Sequence, residues 1–244
     1  MLRAGYLLVG AVCYAAFFVS FVYLVGFLAG LPLLPTHVDK GIISPAGEAV
    51  AVNLLLIAVF GLQHSIMARQ GFKAWWTSIV PVGAERSVYC LASALALALL
   101  FYFWHPINAV VWNVASPSAR ILIWGFFLLG IGGVFISTWL LNHFELFGLA
   151  QSWHAMRQTK APAQKFRTPL FYRISRHPLY TGFIIAFWAT PHMTVGHALL
   201  SAGLTLYILI GIHYEERDLV ATFGETYDIY RTEVSMLVPL PRGK

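Results

Sequence analysis

Long apolar runs alternate with short polar segments along most of this chain. Residues 5–34, 50–67, 88–104 and 120–141 are almost entirely hydrophobic. An α-helix rises about 1.5 Å per residue, so each run is long enough to cross a hydrocarbon core of roughly 30 Å with some tilt. The pattern therefore predicts four transmembrane helices, of which the first is a retained helix and not a cleaved signal.

The C-terminal part of the chain has shorter apolar runs. Residues 179–190 end at Pro191, and residues 198–212 follow almost at once. About twelve helical residues reach only about 18 Å, too short to span alone. We expect a helical hairpin that enters and leaves from one side, or two thin spans. The predicted fold is an all-α polytopic membrane helix bundle, with a four-helix core over 1–141 and a loop, cofactor-binding hairpin and tail over 142–244, all forming one integrated domain.

The composition supports a membrane protein and suggests its orientation. Hydrophobic residues make up 59% of the 244 residues and charged residues 11%, against roughly 25% charged in soluble domains. All 16 lysines and arginines except Lys40 and Arg120 lie on one side of the predicted helices. Basic residues concentrate on the cytoplasmic side, so we expect both termini in the cytoplasm and an even number of crossings. This bias explains the net charge of +6 without a nucleic-acid partner.

A first polar cluster occupies residues 176–182, where the sequence reads RHPLYTG. Pro178 is suited to the first position of a helix, and the backbone N–H groups and dipole at such an end can hold an anion. Gly182 permits a ligand or a second helix to approach closely. The segment predicts either a ligand site or a basic membrane anchor followed by an ordinary helix start.

A second cluster contains the adjacent carboxylates Glu215 and Glu216 at the end of the last apolar run. Acidic groups oppose the dipole at the C-terminus of a helix, so two of them suggest a cationic or hydroxyl-bearing partner. The alternative is a continuing helix with a solvated, self-paired charge cluster. A hairpin would bring Glu215 back to the side of the membrane that holds His177. The expected distance between the two residues is comparable to the length of an adenosine-type cofactor.

Two further clusters lie at the mouths of predicted helices. His143 and Glu145 follow the fourth run, and His64 lies near the end of the second. Such groups can orient a substrate or move a proton, and we take them as candidate bases in the order His143, Glu145, His64. Helix caps within an interfacial aromatic belt are the alternative. Candidate substrate-binding residues beside them are Trp139, Asn142, Gln151 and Arg86.

Several classes of site have no matching motif. The nine histidines form neither HxxxH nor HxxHH, so a membrane di-iron oxygenase of the desaturase kind is disfavoured, and no metal is expected. Neither GxGxxG after a strand nor CxxC is present, which argues against a dinucleotide fold and a zinc or disulfide framework. Gly130, Gly132 and Gly133 are interpreted as small residues for close helix packing.

The C-terminal residues resemble the signature of the isoprenylcysteine carboxyl methyltransferase superfamily. That signature is carried by RHPLYTG at 176–182, Glu215–Glu216, Phe223–Gly224, Tyr227, Tyr230 and Val238–Pro239. Upstream, QHSIMAR at 63–69, ERSVY at 85–89 and NHFELFGL at 142–149 resemble the bacterial membrane methanethiol S-methyltransferases. The resemblance implies an S-adenosylmethionine-dependent enzyme of the cell membrane that converts methanethiol, a small volatile thiol, to dimethyl sulfide.

Carried over by position, the resemblance implies a particular set of cofactor-binding residues. They are Arg176, His177, Pro178, Tyr180, Gly182, Glu215 and Glu216. Two other functions remain open at this stage. One is methyl transfer to a lipid-linked carboxylate or amine, and the other is a non-enzymatic membrane component that binds haem through paired histidines.

Overall fold

The computed structural model describes residues 3–160 and 166–238 of the chain, and they are mostly helical. In chain order the helices are α1 (Arg3–Leu28), α2 (Ala46–Ala68), α3 (Gln70–Trp76), α4 (Val82–Tyr102), α5 (Pro117–Leu140), α6 (His143–Leu146), α7 (Leu149–Arg157), α8 (Pro178–Trp188), α9 (Val195–Phe223) and α10 (Glu225–Glu233). A single 3₁₀ turn, Leu170–Arg173, precedes α8. The strands β1 (Val110–Asn113) and β2 (His192–Thr194) pair in a two-stranded sheet that the all-α prediction did not include.

Within the described ranges, five helices are long and apolar enough to cross a membrane: α1, α2, α4, α5 and α9. The four predicted spans are therefore confirmed as helices, and the chain is an all-α polytopic membrane protein. Prolines begin several of these helices, since Pro45 and Pro81 precede α2 and α4. Pro117 occupies the first turn of α5, where the Ser116 hydroxyl accepts a hydrogen bond from the Ala119 amide.

The C-terminal helices differ from the predicted hairpin in length. Helix α8 is short, with 11 residues, as predicted, but α9 has 29 residues and is long enough to span alone. Of the two interpretations of Glu215 and Glu216, the continuing helix is the one observed. Charged residues do not terminate a helix by themselves, and α9 continues to Phe223, where Gly224 has a φ of 57°. Left-handed backbone of this kind favours glycine.

The described chain divides into two compact units. The first contains residues 3–110, 142–160 and 194–200, and the second contains 111–141, 166–193 and 201–238. Within the first unit, α1 packs against α4 and α7, and α2 packs against α4. Phe27 and Trp104 are fully buried there, and the Trp104 indole donates a hydrogen bond to the Val38 carbonyl.

The second unit is built on the contact between α5 and α8. Gly130 and Gly182 face each other, and a Cβ added at Gly182 would lie 2.6 Å from the Gly130 carbonyl oxygen. The prediction of close helix packing is thus confirmed for Gly130. At Gly132 and Gly133 an added Cβ would meet open space, so those two glycines are not explained by contacts.

Candidate functional site

A buried ionic cluster lies at the start of α8, within the second unit. The Arg176 guanidinium donates from Nε to Glu216 Oε1 over 2.7 Å. The same carboxylate oxygen lies 3.0 Å from His177 Nε2. Arg176 and His177 are 8% and 5% exposed. We call Arg176, His177, Glu215 and Glu216 the charged cluster. Arg176 and Glu216, which meet in this cluster, are 40 positions apart in the sequence.

The charged cluster also holds the end of α10. Arg176 Nη1 donates to the carbonyl oxygens of Arg231 and Val234 over 3.0 and 2.5 Å. Basic groups stabilise the C-terminal carbonyls of a helix, which lack partners within the helix. Arg176 therefore joins α9, α10 and the start of α8 through its guanidinium.

The C-terminal segment runs alongside the start of α8. The amides of Arg176 and His177 donate to the carbonyl oxygens of Ser235 and Met236 over 2.9 and 3.1 Å. The Thr181 hydroxyl donates to the Leu237 carbonyl. The C-terminal segment therefore occupies the backbone amides of Arg176 and His177, which precede the first residue of α8.

Glu215 forms the accessible side of the charged cluster. Its side chain is 42% exposed, against 12% for Glu216. Tyr180 donates from its hydroxyl to Glu215 Oε2 over 2.8 Å, and the Tyr180 ring lies nearly parallel to the His177 ring at 5.6 Å. A half-exposed carboxylate held by a tyrosine suits a ligand that brings hydroxyl or ammonium donors.

Aromatic residues outside the set of predicted site residues pack on and against α10, the helix whose end is held by Arg176. Tyr230 donates from its hydroxyl to the Tyr172 carbonyl, and burial raises its pKa to about 12. Phe166 contacts the rings of Tyr227 and Tyr230. The three-residue spacing of these two tyrosines places them on one helix face, and that spacing is the signal that could have identified them.

Pro178 and Gly182 take part in packing rather than in the charged cluster. Gly182 meets α5 where a side chain would otherwise stand, so helix packing explains this glycine. Both residues also border a cleft of about 170 Å³ between α5 and α8. The cleft is mostly apolar, and its polar lining residues are Ser175 and Thr181.

The candidate base His143 lies in the first unit, inside an aromatic cage. Its Nε2 shares a hydrogen bond of 2.7 Å with the Tyr14 hydroxyl, and its ring centroid lies 4.9 Å from that of Phe147. His143 is 3% exposed, and burial lowers its pKa below the ordinary value. The imidazole is therefore neutral near pH 7 and able to accept a proton.

The other predicted residues of this region form a hydrogen-bonded loop around α6. Asn142 adopts a left-handed φ of 75° and donates from its amide to Glu145 Oε2 over 2.9 Å. Gln151 donates to the Glu145 carbonyl, and Arg86 donates from Nε to the Leu146 carbonyl over 2.8 Å. These contacts assign Arg86 and Gln151 a role in holding α6 in place.

His64 is connected to this region through α4. Its Nδ1 lies 2.9 Å from the Ser93 hydroxyl, and the Tyr89 hydroxyl donates to the His64 carbonyl. The Arg86 guanidinium in turn lies over the Tyr89 ring at 5.2 Å.

Trp139 belongs to α5 of the second unit and is 51% exposed. Among the described residues, no group of three or more His, Cys, Asp or Glu side chains is placed to hold a metal ion.

Comparison with known proteins identifies relatives along almost the whole chain. The methanethiol S-methyltransferase of Mycobacterium tuberculosis is 49% identical over 95% of this chain and 95% of its own length. Methanethiol S-methyltransferase 2 of Bradyrhizobium diazoefficiens is 50% identical over 97% of this chain and 91% of its own length. Nurim of Danio rerio is a more distant relative, 30% identical over 70% of this chain and 65% of its own length.

No family model matches the chain, and no solved structure matches it. The resemblance inferred from the RHPLYTG, QHSIMAR and NHFELFGL segments is confirmed by the level and extent of identity to the named relatives. The chain belongs to the methanethiol S-methyltransferase family.

Proposed function

We propose that this protein transfers the methyl group of S-adenosylmethionine to methanethiol and produces dimethyl sulfide. The observation that carries the proposal is the charged cluster, in which a buried Arg176–Glu216 pair and His177 support the half-exposed Glu215. The names of relatives at 49% and 50% identity support the choice of substrate.

The charged cluster fits a cationic, hydroxyl-rich methyl donor. Glu215 offers a carboxylate to the ammonium or ribose hydroxyl groups of such a molecule, and Tyr180 holds that carboxylate in place. Glu216 is occupied by Arg176 and His177, so its part in binding is to position these neighbours. When bound, S-adenosylmethionine supplies a reactive methyl group on a sulfonium, and the protein supplies orientation and exclusion of water.

The aromatic cage around His143 fits a small apolar thiol. A thiolate is a far better nucleophile than a thiol, so methylation requires that the thiol proton be removed. A neutral His143 can accept this proton, and the hydrogen bond with Tyr14 fixes the orientation of its ring. The rings of Phe144 and Phe147 make T-shaped contacts with the imidazole and give the surroundings an apolar character.

The proposed location is the cell membrane, with the charged cluster facing the cytoplasm. The cytoplasm contains the soluble methyl donor, whereas methanethiol partitions into lipid. The concentration of lysines and arginines on one side of the helices supports this orientation.

Gas analysis of living cells tests the proposed function. Cells that express the protein and receive methanethiol should release dimethyl sulfide into the headspace, and cells that carry an empty vector should not. Cells expressing a His143→Ala protein at the same membrane level are the matched control and should release little. Equal release from all three cultures would contradict the proposal.

A further inference from the structure

The hydroxyl group of Tyr227 is a buried polar group with no hydrogen-bond partner among the described residues. The residue is 2% exposed, and its phenol oxygen makes no hydrogen bond with any residue in the described ranges 3–160 and 166–238. A buried hydroxyl that lacks a partner is costly in free energy, and natural proteins contain few of them. This one therefore requires an explanation.

The ring of Tyr227 is held firmly by its neighbours. Phe166 contacts it edge to face at 5.8 Å between centroids. Tyr230, one turn later on α10, lies 5.8 Å away and is itself anchored by its bond to the Tyr172 carbonyl. Packing thus restricts the direction of the Tyr227 hydroxyl. It has no hydrogen-bond partner in the part of the chain that the structure describes, whereas the Tyr230 hydroxyl on the same helix has one.

Contacts of α10 place Tyr227 close to the charged cluster, because Arg176 donates to the carbonyl oxygen of Arg231, one helical turn after Tyr227. Burial raises the pKa of Tyr227; the negative charge of Glu216 raises it further, Arg176 lowers it, and Glu215 raises it. The net effect is an increase, so the phenol remains protonated at physiological pH. It is therefore able to donate a hydrogen bond to an acceptor that enters the site.

We propose that Tyr227 is a further ligand-binding residue, whose hydroxyl donates a hydrogen bond to the S-adenosyl methyl donor. The inference rests on the proposed function, because the donor is the ligand assigned to the charged cluster. The ribose and carboxylate oxygens and the adenine nitrogens of such a ligand are all suitable acceptors. Phenylalanine would fill the same space, so packing alone does not explain a tyrosine at this position.

The test compares Tyr227→Phe with the matched variant Tyr230→Phe in detergent-purified full-length protein. Calorimetric titration with S-adenosylhomocysteine measures affinity, and thermal unfolding without ligand measures stability. Tyr227→Phe should bind about 3- to 10-fold more weakly, the usual worth of one neutral hydrogen bond. Its unfolding temperature without ligand should be unchanged or higher, because no internal bond is lost.

Tyr230→Phe should show the opposite pattern, since its hydroxyl has a partner within the protein. It should unfold at a lower temperature and keep nearly the wild-type affinity. If the wild type binds S-adenosylhomocysteine and Tyr227→Phe binds it equally well, the inference about Tyr227 is wrong while the proposed function stands. If the wild type itself fails to bind, the proposed function fails as well. A lower unfolding temperature for ligand-free Tyr227→Phe would also contradict the inference.

Discussion

Glu216 is the residue on which the charged cluster depends most directly, because one of its oxygens meets both Arg176 and His177. Glu216→Gln would leave the Arg176 guanidinium buried without its counter-charge, a change that costs about 3–5 kcal/mol in comparable pairs. We expect a lower unfolding temperature. We also expect affinity for S-adenosylhomocysteine about 10- to 150-fold weaker, from a loss of roughly 1.5–3 kcal/mol.

Asp228→Asn is the matched control for that substitution. Asp228 pairs with Arg231 on the surface, where the two side chains are 47% and 46% exposed. Exposed pairs contribute roughly 0–1 kcal/mol, so stability and affinity should hardly change. A Glu216→Gln protein that binds and unfolds like the Asp228→Asn protein would show that Glu216 does not support the site.

His143 provides the second prediction at the residue scale. His143→Ala should leave affinity for S-adenosylhomocysteine nearly unchanged and lower turnover by about 10²–10⁴-fold, the usual contribution of a positioned base. His154→Ala, which removes a histidine bonded to Thr159 near the surface, should keep wild-type turnover. Full turnover of the His143→Ala protein at neutral pH would show that His143 is not the base, and Glu145 or His64 would become the candidate.

The pH dependence of turnover follows from the burial of His143. Because burial lowers the pKa of His143, the wild type should stay active down to a pH below the ordinary histidine value of about 6.5. Activity should then fall as His143 becomes protonated and no longer accepts the thiol proton. In His143→Ala the defect should shrink as pH rises, because the thiol then ionises without help. A defect that is constant with pH would argue against a base.

The sequence indicated the members of the charged cluster but not their division of labour. Arg176, His177, Glu215 and Glu216 do lie together. Arg176 holds α10, whereas Glu215 is the accessible carboxylate. These roles depend on side-chain exposure and on contacts between residues that are far apart in the sequence, which the sequence alone does not show. The spacing of Tyr227 and Tyr230 and their place in the family signature mark them as a pair. That the Tyr227 hydroxyl lacks a partner among the described residues can be recognised only from the structure.

At the scale of elements, α9 shows that the end of an apolar run does not mark the end of a helix. Hydrophobicity indicates which part of a helix lies in lipid, whereas the backbone conformation determines where the helix ends. Helix α9 ends just before Gly224, whose φ is positive. The pattern did identify α8 as too short to span the membrane alone, and it identified α1, α2, α4 and α5 as candidate spans. The pairing of β1 with β2 had no sequence signal, because both strands are very short.

The contact between α5 and α8 gives a prediction about packing. Gly182→Ala would place a methyl group 2.6 Å from the Gly130 carbonyl oxygen, so the helices must separate. We expect a loss of about 1–3 kcal/mol, the usual cost of overpacking, measured by thermal unfolding in detergent. Gly132→Ala meets open space and should be neutral or stabilising. Equal unfolding temperatures for both variants would contradict the close packing of α5 on α8.

At the scale of the whole molecule, the orientation of the termini is an open prediction. Five spans, the number of candidate helices among the described residues, would place the two termini on opposite sides, whereas the charge distribution predicts that both are in the cytoplasm. The two agree if the segment containing α8, which has 11 residues, adds one more crossing. We therefore expect C-terminal green fluorescent protein fusions to fluoresce in bacteria, as cytoplasmic fusions do. Active alkaline phosphatase fused at the same position would place the C-terminus outside.

The most direct measurement uses S-adenosylmethionine with a deuterated methyl group, purified protein and methanethiol. Headspace mass spectrometry should detect dimethyl sulfide with one labelled and one unlabelled methyl group, together with an equal amount of S-adenosylhomocysteine in solution. This result would show that the carbon comes from the cofactor and that sulfur accepts it. Protein that is folded and binds S-adenosylhomocysteine, yet forms no labelled dimethyl sulfide, would contradict the account.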